Sequence, residues 1–426
     1  MPEQARVYPY RWVVLGAFMG VNLTIQTLWI SYAPVSSTAQ EYYGVSAGAI
    51  GALAISFMLA YLPFSFVASQ LLAHRGFRFA AGLGALLAGV SGVARGLVGS
   101  NYALVLLATI GAAIAQPFLL NAWTTISTQW FAQSQRATAV SLITLANLFG
   151  VAIGMAVTPT LVESMSISSV QLWYGVAALV AGVVFVVVAR DRPPTPPDLL
   201  PVAVPTPIMV GVRQALAVRP FVVFLAIAFV AMGVFNGLST WVEEIVKPRG
   251  FSSVDAGNIG ALLLLGGIIG ALVMSALSDW ARRRVPFLAV SLGVSAPALL
   301  WLTFADSRVG LASAAFALGF FMTSALPVGM QYSAEITTPV PEGTSNGLIQ
   351  LGGQTSVIVV YLMAVTRTSS GSFVPSLCVL AGLLLVCGVV VSRLPEPGRY
   401  LALATGTSAS GGTDEAPTAA PAHDQA

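Results

Sequence analysis

Twelve apolar runs, each about as long as the hydrocarbon core of a bilayer is thick, limit the possible folds of this chain more than any other feature. An α-helix needs roughly 20 apolar residues to cross that core. The strands of a membrane barrel would instead alternate apolar and polar residues, which these runs do not do. The sequence therefore predicts an all-α integral membrane protein with twelve transmembrane helices. The predicted spans are residues 11–36, 46–73, 79–99, 102–130, 137–161, 170–190, 219–246, 255–280, 286–304, 309–333, 345–366 and 373–393.

The scarcity and placement of charged residues support this fold and indicate its orientation. Charged residues make up 8% of the 426 and hydrophobic residues 56%, so a water-soluble fold would lack polar surface. Lysine and arginine concentrate in cytoplasmic connections, and 14 of the 19 fall on the cytoplasmic side if both termini lie there. We expect a multi-pass protein of the cell membrane, with a net charge of +3 that reflects topology and indicates no nucleic-acid partner. The five remaining cations are Arg95, Lys247, Arg249, Arg308 and Arg367.

A proline-rich segment, DRPPTPPDLLPVAVPTP at 191–207, divides the chain between the sixth and seventh spans. So many prolines exclude a continuous helix there. The last residues, from about 400, are small and polar, a composition typical of disorder. The predicted organisation is an N-terminal six-helix bundle at 1–190, a cytoplasmic linker at 191–218, a C-terminal six-helix bundle at 219–393 and a disordered cytoplasmic tail at 394–426.

The two bundles resemble each other in sequence. SLITLANL at 141–148 matches GLIQLGGQ at 347–354 in its apolar positions, and LLAHRGFR at 71–78 is answered by LSDWARRR at 277–284. Together these matches indicate a parallel repeat of six helices, the arrangement of major facilitator transporters, with a solute site between the halves near the midplane.

Polar side chains within the spans are the candidates for that site. Such groups are costly in lipid unless they face protein or a water-filled cavity. Asn22, Gln26 and Trp29 recur at helical spacing on one face of the first span. The alternatives are that amides and hydroxyls hold helices together and that Trp29 belongs to an interfacial belt. The predicted substrate-binding residues are Asn22, Gln26, Trp29, Asn121, Asn147, Asn236, Ser239, Thr240, Glu243, Gln350 and Gln354.

Charged residues near the span ends are candidates for gates. We expect Arg75, Arg78, Asp279 and Arg283, which follow the second and eighth spans, to latch the cytoplasmic side, with Glu335 and Glu342 as candidate partners. These arginines could equally be topology signals only. Glu243 and the adjacent Glu244 could attract a cation at the outer end of the seventh span, or could form a solvated rim that pairs with Lys247 or Arg249.

The sequence offers little for metal, cofactor or enzyme chemistry. The cysteines, Cys378 and Cys387, lie in the last span, and the histidines, His74 and His423, lie in a connection and in the tail. We therefore expect no metal and no cofactor. No Ser/His pair, paired aspartates or histidine cluster lies near the midplane to form an intramembrane active site, so we expect no enzyme.

Several stretches are similar to one known family. WISYAP, YYGVSAGAIG and AYLPFSFVASQLLAHRGFR, together with NLFGVAIGMAVTP at 147–159 and EITTPVPEGTSNGLIQLGGQ at 335–354, resemble the feline leukaemia virus subgroup C receptor family of major facilitators. The resemblance implies the major facilitator fold and transport of choline and ethanolamine; haem export is also proposed for one animal member. No histidine lies at the midplane to ligate haem iron.

The resemblance also implies a substrate site, and this chain matches it at some positions. In choline-carrying members a first-span Trp and a seventh-span Tyr form an aromatic cage, and glutamines on the fifth and eleventh spans line the site. Trp29 and Gln354 match this pattern, whereas Asn236 replaces the Tyr and Leu148 replaces the fifth-span Gln.

We therefore expect an alternating-access transporter of a small organic solute such as a choline- or ethanolamine-like amine, working as a monomer in the lipid bilayer by facilitated diffusion. The alternatives are an exporter of amphipathic organic compounds or drugs and an organic-anion carrier. A non-transporting receptor is less consistent with a chain that has almost no soluble mass.

Overall fold

The computed structural model of the protein describes residues 8–132, 135–195, 197, 208–368, 371–398 and 400. Its described part contains twelve helical spans that are long and apolar enough to cross a membrane, which confirms the predicted all-α fold. The predicted disordered tail lies almost wholly outside the described residues. Spans 1 to 12 are Tyr10–Tyr43, Ala47–Arg75, Phe77–Leu97, Tyr102–Trp130, Thr138–Ser164, Ile167–Val188, Arg219–Arg249, Ser253–Ala281, Val285–Phe304, Arg308–Ile336, Glu342–Val365 and Val374–Ser392.

Consecutive spans alternate in direction, so the bundle has two ends. We call the end where span 1 begins and span 12 finishes the proximal end, and the opposite one the distal end. Five of the even-numbered spans begin at the distal end behind a side chain that accepts a hydrogen bond from the first turn. These capping residues are Ser46, Asn101, Ser166, Ser252 and Ser307.

Four spans are interrupted, as is common where transporters bind their solutes. Span 1 consists of the helix Tyr10–Ile30, a short 3₁₀ helix Ala33–Val35 and the helix Ser36–Tyr43, and span 4 breaks at Asn121 into Tyr102–Leu120 and Ala122–Trp130. In span 7, Arg219–Val246, Trp241 leaves helical geometry before the 3₁₀ turn Lys247–Arg249. Span 11 breaks at Ser356 into Glu342–Thr355 and Val357–Val365.

The two halves of the chain pack their helices in the same pattern. Span 1 packs on span 5 as span 7 does on span 11; spans 2 and 4 correspond to 8 and 10, and spans 3 and 6 to 9 and 12. This equivalence is what a parallel repeat requires. Between the halves a further helix, Ile208–Ala217, packs against the start of span 11. The sequence had indicated no helix in this linker region.

Span 1 contacts the C-terminal half near the distal end. The helix Tyr10–Ile30 packs mainly on its own half, whereas the later segments of span 1, Ala33–Val35 and Ser36–Tyr43, pack on spans 7 and 8. Near the same end, a Cβ added at Gly257 of span 8 would lie 2.8 Å from the Pro159 ring of span 5. Span 2 also packs on both helices of span 11.

Close helix packing inside each half depends on glycine. A Cβ at Gly175 of span 6 would overlap the backbone of Gly92 in span 3, so these helices approach at a distance that only glycine permits. Small residues at such crossings give van der Waals contact between membrane helices, where no hydrophobic effect drives association.

The substitution Gly175→Ala tests this packing. Because the added methyl meets backbone and not a flexible side chain, we expect it to destabilise the protein by about 1 to 3 kcal/mol. Gly20→Ala, where nothing lies within 4 Å of the added Cβ, is the control and should be neutral or stabilising by at most about 1 kcal/mol. The measurement is thermal unfolding in detergent. Equal melting of the two variants would contradict the packing argument.

Candidate functional site

A buried carboxylate joins the two halves at the distal end. Glu243 of span 7 has no exposed surface. It accepts hydrogen bonds from the backbone N–H of Ser37, at 2.8 Å, and from the Ser37 hydroxyl, both in the other half. The hydroxyl of Ser253, at 2.6 Å, donates to it from span 8. Ser37 lies in the first turn of the helix Ser36–Tyr43, where unpaired N–H groups and the helix dipole favour an anion.

The adjacent Glu244 forms a second connection between the halves. It accepts hydrogen bonds from the Ser36 hydroxyl at 3.0 Å and the Gln40 amide at 2.6 Å, and it pairs with Arg367 at 2.9 Å. Between described residues, the side-chain hydrogen bonds that cross from one half to the other are those of these two glutamates. We call Ser36, Ser37, Gln40, Glu243 and Glu244 the distal contact.

The alternative of a solvated rim that pairs these glutamates with Lys247 or Arg249 is wrong. Arg249 donates instead to the backbone carbonyls at the end of span 9, and Lys247 is exposed. The sequence could not predict the hydrogen bonds from Ser37 to Glu243, because Ser37 lies in the other half of the chain.

The predicted residues on spans 1 and 5 lie near each other. Trp29 is 8% exposed, and its indole N–H donates to the Ala54 carbonyl of span 2 at 3.2 Å. Span 5 presses against span 1, since a Cβ on Gly150 would lie 3.0 Å from the Cβ of Gln26. One turn away on span 5, Asn147 is buried and both of its amide atoms lack a partner among the described residues. A buried amide of that kind needs water or a ligand.

Asn22 and Asn121 have their hydrogen-bonding groups engaged within the N-terminal half. The Asn22 amide donates to the Phe18 carbonyl and accepts from the Trp123 indole, both at 2.9 Å. Asn121 accepts from the Tyr61 hydroxyl at 2.8 Å and donates to Ser65 at 3.0 Å. In this conformation both residues hold helices together, the alternative that the sequence left open.

The predicted residues of the C-terminal half divide between packing and open positions. Asn236 donates from span 7 to Ser356, at 3.2 Å, at the break in span 11. Gln350 and Gln354 are half-buried, and no hydrogen bond engages their amides within the described residues. The hydroxyl of Thr240 is buried and has no partner there either.

Ser239, in contrast, lines a small apolar cavity of about 20 Å³ inside the C-terminal half. This volume has room for about one water molecule and not for an organic solute.

The predicted gate residues form bonds within single halves. The Arg78 backbone N–H donates to Asp191 at 2.8 Å, and its guanidinium donates to the Val186 carbonyl. Arg75 is exposed and lies over the Phe79 ring at 5.8 Å. Arg75 therefore attaches the end of span 2 to span 3, and Arg78 attaches the start of span 3 to span 6 and the linker.

In the C-terminal half the central cation is Arg284 and not the predicted Arg283, which is exposed. Arg284 pairs with Asp279 and, at 2.9 Å, with Glu335 of span 10. Burial lowers the pKa of Arg284, but the hydrogen bonds that it donates to Glu335 and Asp279, with the charge of these carboxylates, outweigh that effect and hold the pKa above its usual range. Because three arginines follow one another here, the sequence could not indicate which of them turns inward.

No cluster of three or more His, Cys, Asp or Glu residues that could hold a metal occurs in the described part of the chain. The residues free to contact a solute are therefore amides, hydroxyls and an indole. Such a set can hydrogen-bond polar groups and can place a π-face against a cation.

Comparison with known proteins agrees with this architecture. The sequence profile described as the Major Facilitator Superfamily matches residues 14–359 and 245–409. The chain belongs to this superfamily. Two solved structures resemble it over nearly their whole length. A D-xylose-proton symporter matches with a TM-score of 0.73 and 13% identity, over 91% of this chain and 99% of that one. A bacterial homologue of the human lysosomal transporter Spinster, in an inward-facing and unoccupied conformation, matches with a TM-score of 0.67 and 16% identity, over 94% of this chain and 98% of that one. At these identities the likeness concerns the fold alone.

Among relatives, the similarity to the feline leukaemia virus subgroup C receptor family is confirmed. The chain is 29% identical to the choline/ethanolamine transporter flvcr2a of Danio rerio, over 83% of this chain and 79% of that one. It is 30% identical to solute carrier family 49 member A3 of Xenopus tropicalis, over 84% and 78%. Both relatives carry transporter names, and this major facilitator is likewise a multi-pass membrane transporter of a small-molecule solute.

The distal contact of this transporter predicts that the substitution Glu243→Gln will make the distal end open more often. A neutral amide loses the charged hydrogen bonds to Ser37 and Ser253, worth about 1.5 to 3 kcal/mol each. We expect the distal end to open about tenfold more often or more. The assay places a single cysteine at position 26, with Cys378 and Cys387 replaced, and measures its labelling by an impermeant thiol reagent added from the distal side.

Lys247→Gln is the matched control for this experiment, because Lys247 is exposed at the same end and takes no part in the distal contact. Its labelling rate should equal that of the parent protein. An unchanged rate in Glu243→Gln would mean that the glutamate does not keep the distal end closed.

Proposed function

We propose that this protein carries a choline- or ethanolamine-like organic amine across the cell membrane by alternating access, through a path between its two halves. The observation that carries the proposal is a group of polar side chains around span 1: Gln26 lies at the contact with span 5, one turn from the buried, unpartnered amide of Asn147. Trp29 lies about one turn further along span 1, and its indole is held against span 2. The names of the relatives supply the solute class.

A neutral site of this kind suits a cation that has a compact charge and few hydrogen-bonding groups. The face of a tryptophan attracts such a cation by about 0.5 to 2 kcal/mol, with the larger values when the site is dry. The bond to the Ala54 carbonyl holds the Trp29 ring in one orientation. Amides from span 11, Gln350 and Gln354, would face the solute from the other half and contact a hydroxyl or amine.

The alternating movement follows from where the bonds between the halves lie. The distal contact closes one end, while the bonds of Arg78 and Arg284 near the other end stay inside their own halves. The halves can therefore rotate about the solute by exchanging the distal contact for another on the proximal side. We propose that both termini are cytoplasmic, so that the distal contact closes the outer side of the protein.

Facilitated diffusion remains the expected form of energy coupling. Acidic residues of the described spans lie within about two turns of a span end, and none lies at the midplane. Proton-coupled carriers usually have an ionisable group along the solute path. We further propose that the protein acts as a monomer, without cofactor, enzymatic activity or nucleic-acid partner.

Binding of choline tests the proposed function. We expect choline to raise the melting temperature of the purified protein and Trp29→Ala to weaken that binding about 2- to 30-fold, the loss of one cation–π contact. Trp173→Ala is the control, because Trp173 is 64% exposed on the outside of span 6. The panel also contains ethanolamine, betaine, neutral amines and organic anions. Stabilisation by an anion or an uncharged amphiphile alone would show that Leu148 and Asn236 have redirected the site.

Coupling is tested in proteoliposomes with the membrane potential clamped at zero by potassium and valinomycin. We expect an imposed pH gradient to leave choline uptake unchanged, and a proton uncoupler to have no effect, because no acidic residue of the described spans lies at the midplane. Accumulation of choline against its gradient that the uncoupler abolishes would contradict facilitated diffusion. Glu243→Gln under the same conditions would then identify whether the distal glutamate carries the proton.

A further inference from the structure

Arg95, near the end of span 3, is completely buried. The orientation count placed it among the cations outside or near the outer ends of the helices; it does lie in the last turn of span 3, but its side chain is enclosed by protein. Within the described part of the chain no carboxylate forms an ion pair with it. A buried cation without such a partner is costly in a membrane, so its remaining contacts have to stabilise it.

Those contacts converge on the break in span 1. One guanidinium N–H donates to the Leu28 carbonyl at 2.7 Å, a second reaches the Ser31 hydroxyl at 3.4 Å, and the guanidinium lies 4.7 Å from the centre of the Tyr32 ring. Leu28 belongs to the last turn of the helix Tyr10–Ile30, whose final carbonyls lack partners within the helix. A cation beside these carbonyls is also favoured by the helix dipole.

The same break is attached to a third helix. The Ser31 hydroxyl donates to the side-chain oxygen of Gln171 in span 6 at 3.1 Å, and Gln171 is fully buried. The Ser31 side chain of span 1 is therefore hydrogen-bonded both to Arg95 of span 3 and to Gln171 of span 6. Pro34 prevents the helix from continuing past Ile30, and the side chains of spans 3 and 6 hold the freed end in place.

Trp29 lies between Leu28, which Arg95 holds, and the break at Ser31. Its indole N–H is held on the opposite side by the Ala54 carbonyl of span 2. We propose that Arg95 is a positioning residue for transport: it fixes the end of the first helix of span 1 so that Trp29 keeps its face toward the solute. This inference rests on the proposed function in so far as Trp29 contacts the solute.

The arrangement requires the planar fork of arginine. Two N–H groups point to Leu28 and Ser31 while the flat face stacks on Tyr32, which the compact ammonium of a lysine cannot reproduce. Arg95→Lys therefore keeps the charge and removes the geometry. Arg249→Lys is the matched control, because Arg249 donates to the carbonyls of Leu302, Thr303 and Ala305 at the end of span 9 and, among the described residues, forms no hydrogen bond with span 1.

The first measurement is ¹⁹F NMR of protein labelled with 5-fluorotryptophan, in which the Trp29 signal is identified among the eight tryptophans by its loss in Trp29→Phe. We expect Arg95→Lys to shift or broaden the Trp29 signal and Arg249→Lys to leave it in place. This readout needs no solute. A Trp29 signal that does not move in Arg95→Lys would overturn the proposal, even if the protein transports choline.

The second measurement is choline uptake, which separates the positioning role from the proposed function. We expect Arg95→Lys to raise KM about 2- to 30-fold, as loss of a cation–π contact would, while Arg249→Lys leaves KM unchanged. If both variants lower the amount of folded protein equally and leave KM unchanged, the role of Arg95 is only structural and the proposal is wrong. Absence of choline uptake in the parent protein would refute the proposed solute and leave the NMR result to decide the role of Arg95.

Discussion

Inside a bilayer, a backbone carbonyl or N–H released from a helix has to find another partner, because no water is there to replace it. The breaks in this protein depend on that requirement. At the break in span 1 the Leu28 carbonyl is bound by Arg95 of span 3, and at the break in span 11 the amide of Asn236 reaches Ser356 from span 7. At both of these breaks a side chain of another helix stabilises the interruption.

The same requirement explains how the two halves can be both firmly attached and movable. Glu243 and Glu244 are buried with donors from the other half, and each of these charge-assisted bonds is strong in a low dielectric. They are confined to one end of the molecule. Near the other end Arg284 is bonded inside its own half, so a change of conformation has few polar contacts to break at once and leaves the core of each half intact.

Candidate site residues were identified unevenly from the sequence. Polarity in an apolar run marked Gln26 and Asn147; both are buried, and both amide atoms of Asn147 lack a partner among the described residues, so their role in binding a solute stays a prediction. The same signal marked Asn22 and Asn121, whose amides are engaged in holding helices together. Helical spacing places residues on a face, but it does not tell whether that face meets a neighbouring helix or an open path.

The sequence by itself determined the twelve spans and their sequential repeat. Lipid forces every crossing segment into a helix of nearly fixed length, so hydropathy is enough to find it. Only the tertiary structure decided that Arg95 turns inward to Leu28, that Arg284 and not Arg283 pairs with Glu335, and that Glu243 meets Ser37. These partners lie far apart in the chain, and their bonds depend on distances between helices that no local pattern encodes.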